Sequence, residues 1–126
     1  MKLEHLGIYA KDPEALSRWY REKLGLSVVR KLEKEGRPPI YFLKGEGGWE
    51  VEVLPSPSSS RKKGLTDPGY SHIGLVVEDF NQTASFLESR GISLHDVRET
   101  SNGWKIGYFE DPEGNHLEIV HRPAGG

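Results

Sequence analysis

The sequence predicts an α+β fold, in which two βαβββ modules form a cupped mixed sheet with the helices on its outer faces. Three observations support this prediction. The chain repeats itself, because His5-Leu-Gly-Ile returns as His72-Ile-Gly-Leu and Glu52 returns as Glu118. Equivalent residues lie 67 positions apart at the histidines and 66 apart at the glutamates, so the repeat spans whole modules. Each repeat also has one segment of helical periodicity among several of strand periodicity.

Module one opens with an alternating segment from Leu3 to Ala10, in which most apolar side chains face one way and His5 the other. Asp12-Pro13 then predicts a helix start, because Asp caps helices well and Pro fits the first helical position. Apolar residues follow at helical spacing until Gly25, a typical helix stop. Three further strands are predicted at 26–32, 40–44 and 49–54.

Module two repeats this order with its own signals. A strand is predicted over 71–77, and Asp79 with Gln82 three residues later forms a capping-box pattern. The helix is expected to end at Gly91. Three strands follow at 92–97, 104–109 and 116–121, separated by the turns Asn102-Gly103 and Asp111–Gly114.

Length and cysteine content limit the class of protein. A chain of 126 residues buries about two thirds of the surface that its unfolded form exposes, so we expect a single domain over 1–126. Module one is predicted at 1–54, a linker at 55–69 and module two at 70–122. Without cysteine, disulfides and zinc–thiolate sites are excluded, and His, Asp and Glu remain as the strong metal ligands.

The charge pattern gives no sign of a charged macromolecular partner. The net charge is −2, with 17 basic and 19 acidic residues interspersed, so neither a nucleic acid nor a membrane is expected as a partner. The basic triplet Arg61–Lys63 is interpreted as a solvated loop, with attraction of an anionic substrate as the alternative. No apolar run approaches roughly 18 residues and no export signal opens the chain, which favours a cytoplasmic location.

The last strand of each module separates one glutamate from its apolar neighbours, because side chains alternate between the two faces of a strand. His5 and His72 are separated from most of their apolar neighbours in the same way. If the helices cover the apolar faces, a pseudo-twofold relation would bring these polar side chains to one centre. Two carboxylates in a partly dry concavity need neutralisation, which a divalent cation with two neutral imidazoles supplies. The predicted ligands are His5, Glu52, His72 and Glu118; the alternative is a scaffold that has lost metal binding.

These residues closely resemble the vicinal oxygen chelate superfamily, which includes glyoxalase I, extradiol dioxygenases, methylmalonyl-CoA epimerase, fosfomycin-resistance thiol transferases and bleomycin-binding proteins. The resemblance covers essentially the whole chain, and its most specific segment runs from Phe109 to Glu118. It implies paired βαβββ modules around one divalent ion, in a homodimer. Two His and two Glu, one pair per module, resemble the ligand set of glyoxalase I, whereas dioxygenases typically use two His and one Glu.

The resemblance implies a divalent-metal-dependent lyase or isomerase, similar to lactoylglutathione lyase, which moves a proton in a small oxygen-chelating substrate through a metal-bound enediolate. Glu118, with Glu52 as second choice, is the expected proton shuttle. The ion is one of Ni, Co, Zn, Mn or Fe. Tyr9 and Ser56 stand where bacterial glyoxalase I commonly has Arg and Asn, so glutathione is not implied. The alternatives are an Fe(II) extradiol dioxygenase and a non-enzymatic protein that binds a drug or metabolite.

Several further polar and aromatic residues have two interpretations each. Glu50 and His116 share strand faces with the predicted ligands and are interpreted as solvent-facing, with support of those ligands as the alternative. Tyr9, Trp104 and Tyr108 are candidates to line a pocket, and packing accounts for them equally well.

Overall fold

The computed structural model describes residues 1–57 and 64–123, and the chain divides into two compact units, Met1–Arg61 and Lys62–Gly126. The triplet Arg61–Lys63 lies outside the described residues. Within the described ranges, no helix is long and apolar enough to cross a membrane.

Unit one is a four-stranded mixed sheet with one helix. Its elements are β1 (His5–Ala10), α1 (Pro13–Leu24), β2 (Ser27–Lys34), β3 (Arg37–Lys44) and β4 (Glu50–Pro55). The strand order is β1-β4-β3-β2, in which β1 runs parallel to β4 and the other neighbours are antiparallel.

Unit two repeats this arrangement. Its elements are β5 (His72–Val76), α2 (Phe80–Ser89), β6 (His95–Glu99), β7 (Lys105–Glu110) and β8 (His116–His121). The strand order β5-β8-β7-β6 is equivalent to that of unit one, with β5 parallel to β8. The predicted α+β class with two βαβββ modules is confirmed.

The predicted helix starts are confirmed at both caps. The Asp12 carboxylate accepts a hydrogen bond from the Ala15 amide at 3.0 Å, and Asp79 accepts one from the Gln82 amide at 3.0 Å. Helix α1 ends at Gly25, whose φ of 78° lies in the left-handed region that glycine adopts without strain. These local contacts fix where each helix begins and ends.

Each sheet has an apolar face and a polar face. On β1, Ile8 and Ala10 are buried while His5, which points the other way, is exposed. On β4 the two valines that flank Glu52 are fully buried, and on β8 the neighbours of Glu118 are buried in the same way. The buried helix residues that complete the two cores are Leu16, Tyr20, Phe80 and Leu87. We call the side of each sheet that carries its histidine and glutamate the polar face.

The predicted bounds 92–97 of the third strand in module two are wrong, because the strand runs from His95 to Glu99. Ile92 is buried, and its amide donates a hydrogen bond to the Leu87 carbonyl at 2.9 Å, so it belongs to the connection that leaves the helix. The strand register also shifts after His95, and Asp96 has a positive φ of 53°. This irregularity breaks the alternation on which the prediction depended.

Candidate metal centre

In unit one, His5 and Glu52 come together on the polar face. The parallel register pairs Gly7 with Glu52, which places His5 one pleat away from the glutamate. His5 Nε2 lies 3.4 Å from Glu52 Oε1, and His5 Nδ1 lies 2.8 Å from Glu4 Oε1. The Glu52 side chain is 20% exposed, so it is partly enclosed and still open to solvent.

In unit two, His72 and Glu118 form the equivalent pair. Gly74 is the register partner of Glu118, just as Gly7 is of Glu52. His72 Nε2 lies 3.2 Å from Glu118 Oε1, and His72 Nδ1 lies 2.7 Å from the Ser71 hydroxyl. The same two side chains therefore meet in the same way in both units.

A glycine leaves space in front of each carboxylate. A Cβ atom added at Gly74 would lie 3.4 Å from Glu118 Oε1, and one added at Gly7 would lie 3.8 Å from Glu52 Oε1. Larger side chains at these positions would therefore crowd the carboxylate oxygen.

The geometry of each pair fits a shared divalent cation. Two donor atoms that each lie about 2.1 Å from one cation, at nearly right angles, are roughly 3 Å apart. The observed Nε2–Oε1 separations of 3.4 and 3.2 Å are close to this value. The shorter of the two, between His72 and Glu118, is also a hydrogen-bond distance in the metal-free pair. His5 Nδ1 lies beside the Glu4 carboxylate, which only accepts hydrogen bonds, whereas His72 Nδ1 lies beside the Ser71 hydroxyl, which donates or accepts. A proton on Nδ1 would leave the Nε2 lone pair of either ring for a metal ion.

Each unit supplies two of the predicted ligands. Across residues 1–57 and 64–123, no group of three or more His, Asp or Glu side chains is arranged to hold a metal ion. The structure thus brings His5 to Glu52 and His72 to Glu118, and the meeting of the two pairs around one ion stays a prediction.

An aromatic ring from the third strand of each unit stands beside the histidine. Phe42 is the register partner of Glu52, and its ring centroid lies 5.9 Å from that of His5 in an edge-on arrangement. Tyr108 is the register partner of Glu118, and its ring lies 5.3 Å from His72. Burial, followed by the negative charge of Glu118, raises the pKa of the Tyr108 phenol. Sequence reasoning missed Phe42, although its spacing of 66 residues from Tyr108 is the spacing of the two glutamates.

A second polar side chain lies against each of these rings. In unit one, the Arg30 guanidinium carbon is 4.7 Å from the Phe42 ring centroid, and Arg30 Nη2 donates a hydrogen bond to Glu50 Oε1 at 3.2 Å. In unit two, the His95 ring is stacked on Tyr108 with the centroids 6.3 Å apart. Sequence reasoning missed both Arg30 and His95.

His95 is held between two carboxylates. Its Nε2 lies 2.5 Å from Glu110 Oε2, and its Nδ1 lies 2.6 Å from Asp96 Oδ2. Both carboxylates accept hydrogen bonds from the protonated ring, and these bonds, first that of Glu110 and then that of Asp96, raise the pKa of His95 above its ordinary value. The ring is therefore an imidazolium over a wider pH range than an isolated histidine.

Glu50 and His116 are less exposed than the sequence suggested. Their side chains are 21% and 23% exposed, and each has a charged group of its own unit nearby. Glu50 contacts Arg30, and His116 Nδ1 lies 3.6 Å from Glu110 Oε2. Both side chains are therefore partly exposed and each has a charged neighbour, and whether they support the predicted ligands stays a prediction.

The two other aromatic candidates differ from each other. Tyr9 is 64% exposed and alternates with Ile8, on the same side of β1 as His5. Trp104 packs against Arg122, whose guanidinium carbon is 4.2 Å from its ring. Tyr9 therefore remains a candidate for substrate contact, and the contact of Trp104 with Arg122 favours the packing interpretation of that residue.

Together, the fold and the pairs define a class: a protein of two βαβββ units that each bring one histidine and one glutamate together on the polar face of a sheet. Residues 2–119 match the family described as the Glyoxalase/Bleomycin resistance protein/Dioxygenase superfamily. The chain belongs to this superfamily.

The chain is similar to proteins with several recorded activities. It is 28% identical to a lactoylglutathione lyase from Pseudomonas aeruginosa, over 97% of this chain and 83% of that protein. It is 27% identical to MhqE of Bacillus subtilis, a putative ring-cleaving dioxygenase, over 98% of this chain and 42% of that protein. The crystal structure of a glyoxalase family protein from Enterococcus faecalis matches with a TM-score of 0.81 at 28% identity, over 94% of this chain and 96% of that one.

Proposed function

We propose that the protein is a divalent-metal-dependent enzyme of the glyoxalase type, which isomerises a small substrate with two neighbouring oxygen atoms. The observation that supports the proposal most is the duplicated His–Glu pair, with Nε2–Oε1 separations of 3.4 and 3.2 Å on equivalent strands. In this proposal His5, Glu52, His72 and Glu118 hold one ion. The identity of the ion among Ni, Co, Zn, Mn and Fe depends on supply as well as ligands.

The proposed chemistry is a proton transfer between neighbouring carbon atoms of the substrate. A divalent ion bound here would polarise a chelated carbonyl and so acidify the adjacent C–H bond. We propose that the Glu118 carboxylate, which would loosen from the ion for this step, removes the proton and returns it to the neighbouring carbon. Its side chain is the less exposed of the two glutamates, at 15% against 20% for Glu52, and Tyr108 is positioned to donate a hydrogen bond to it. Glu52 is the second choice for this role.

The similarity to the lactoylglutathione lyase supports the class of reaction. It gives less support to glutathione as the thiol that the substrate carries. Tyr9 presents a phenol where a basic side chain would recognise the glutathione carboxylates, and Ser56 offers a hydroxyl in place of an amide. We therefore propose a small oxygen-chelating substrate without requiring glutathione. We also propose that the protein works as a homodimer, which sedimentation velocity of the metal-loaded protein would test.

Metal analysis tests the site directly. We expect about one divalent ion per chain in the purified protein, and strongly reduced binding in each of four variants: His5→Ala, Glu52→Gln, His72→Ala and Glu118→Gln. The matched controls are His121→Ala, on the opposite face of β8 from Glu118, and Glu33→Gln, an exposed glutamate paired with Lys31 on β2. Metal content that is unchanged in all four variants would refute the ligand assignment.

Two parallel assays separate the candidate functions. Solvent deuterium incorporation into dihydroxyacetone and into hemithioacetals of methylglyoxal reports proton transfer, while oxygen uptake with catechol reports ring cleavage. The similarity to MhqE is the reason for the oxygen-uptake assay. The proposed fourth protein ligand argues against a dioxygenase, because this ligand would fill the metal position that oxygen chemistry leaves open. Deuterium exchange without oxygen uptake supports the isomerase. Oxygen uptake alone supports the dioxygenase, and neither activity with retained ligand binding supports a binding protein.

A further inference from the structure

Arg30 projects from β2, an edge strand, over the ring that flanks His5. The His5 and Phe42 ring centroids are 5.9 Å apart, and the Arg30 guanidinium carbon is 4.7 Å from the same Phe42 centroid. The guanidinium carbon therefore lies no farther from the His5 ring centroid than the sum of these two distances. The strand register confirms the alignment, because Arg30 is the partner of Phe42 and Phe42 is the partner of Glu52. The cation therefore lies along the polar face, one aromatic ring away from a predicted metal ligand.

The Arg30 side chain is anchored at one end and open at the other. Glu50 Oε1 accepts one hydrogen bond from Nη2, and the Phe42 ring supports the guanidinium plane. The Glu50 side chain is 21% exposed while that of Arg30 is 54% exposed, so the carboxylate lies deeper than the cation it holds. A guanidinium has five N–H donors in a fixed fork, and a single contact with Glu50 leaves most of them for another acceptor.

The side chain at the equivalent place in unit two lacks this capacity. His95 also lies against the aromatic ring of its unit, but both of its nitrogens are engaged, by Glu110 and by Asp96. The two carboxylates would repel an anionic ligand. Of Arg30 and His95, only Arg30 combines an aromatic support with unused donors.

We propose that Arg30 is a specificity-determining residue, which binds an oxyanionic group of the substrate while the neighbouring oxygen atoms of that substrate occupy the metal centre. This inference rests on the proposed function and adds to it a class of substrate: small chelating molecules with a carboxylate or a phosphate at their far end. Phe42 and Glu50 act as positioning residues that hold the guanidinium in place. A bidentate charge-assisted contact of this kind favours the anionic ligand by about 10- to 100-fold over its neutral analogue.

Calorimetric titration of the full-length, nickel-loaded protein tests the inference without relying on activity. The probes are protocatechuate, homoprotocatechuate and dihydrocaffeate, whose carboxylates lie progressively farther from the chelating oxygens, each beside its neutral methyl ester. Dihydroxyacetone phosphate beside dihydroxyacetone distinguishes a phosphate from a carboxylate. We expect at least one carboxylate, or the phosphate, to bind about 10-fold or more tightly than its neutral partner.

The variants assign that preference to a residue. Arg30→Met should abolish the preference and leave the affinity for the neutral partner unchanged, while Arg30→Lys should restore only part of it because the fork is lost. The control is Arg18→Met, which removes another arginine paired with a glutamate, Glu14, on the exposed side of α1. Glu50→Gln should weaken binding of the anion less than Arg30→Met does.

The outcomes separate this inference from the function on which it rests. Equal affinity of the wild-type protein for every anionic and neutral partner overturns the inference alone, as does an Arg30→Met variant that keeps the preference. Failure of the wild-type protein to bind any of Ni, Co, Zn, Mn and Fe, or failure of the metal-loaded protein to bind any of the chelating probes, overturns the proposed function, and the inference with it.

Discussion

His95 shows how two neighbouring carboxylates set the charge of a single residue. Hydrogen bonds to Glu110 and Asp96 raise its pKa above the ordinary value of 6.5. The unfolded chain lacks these bonds, so their contribution to stability is fully present below pH 6.5 and is lost as the pH rises through the raised folded value. We expect an NMR titration to place His95 above 6.5.

The Glu110→Gln variant tests the cause of this shift. The His95 pKa should fall in this variant, because the glutamine side chain carries no charge, and the His121 resonance serves as an internal reference. The loss of stability caused by the substitution should be largest below pH 6.5 and should shrink at higher pH. A substitution effect that does not change with pH would contradict the assignment.

Gly74 leaves open the space in front of the Glu118 carboxylate. An added Cβ would reach within 3.4 Å of Glu118 Oε1, and the branched side chain of valine would extend farther into this space. We expect Gly74→Val to weaken divalent metal binding by roughly 10- to 100-fold, the range seen when the support of a ligand is removed. Stability should stay within about 1 kcal/mol, because β-branched residues suit strands. Metal titration beside thermal unfolding measures both, and Gly74→Ala should give a smaller effect on metal binding.

Among the elements, the hairpin of β7 and β8 carries much of the polar face of unit two, and its turn depends on Asp111. This side chain is only 5% exposed, and it accepts hydrogen bonds from the Glu113 and Asn115 amides at 2.9 Å and from the Asn115 side chain at 2.8 Å. Asp111→Ala would leave these donors without their acceptor inside a tight turn. We expect a loss of about 2–4 kcal/mol in the free energy of unfolding, measured by urea denaturation.

A matched aspartate shows whether burial causes this loss. Asp67 accepts one hydrogen bond, from the Gly64 amide, in an exposed turn. Asp67→Ala should cost less than about 1 kcal/mol. Equal effects of the two substitutions would show that the buried network of Asp111 is not what stabilises the hairpin.

The elements that the sequence predicts well are those fixed by local contacts. Asp12 and Asp79 cap helices three residues away, and Gly25 ends a helix through its own backbone conformation. Strand β6 is different, because the positive φ of Asp96 and the accompanying register shift interrupt its alternation. A periodic pattern contains no signal for such an interruption, so the prediction placed the strand around Ile92 and Leu94.

On the scale of the whole molecule, duplication explains why the His–Glu pairs could be predicted and Arg30 could not. The pairs occupy equivalent positions of a repeat, which the sequence displays directly. Arg30 meets Glu50 across 20 residues of chain, and the register of β2 against β3 shifts between Val28 and Arg30. A shift of one residue changes the face on which a side chain lies, so the sequence alone does not place Arg30 on the polar face.

The proposed centre makes one prediction that involves both units at once. A cation held by both pairs stabilises both units, whereas separate cations would each stabilise only their own. With nickel at about 100 times its dissociation constant we expect roughly 2.7 kcal/mol of added stability, visible as slower hydrogen exchange in β4 and in β8. The double substitution His72→Ala/Glu118→Gln removes ligands from unit two alone. If one ion joins the pairs, nickel no longer protects β4 in this variant; persistent protection of β4 would mean that unit one binds an ion by itself.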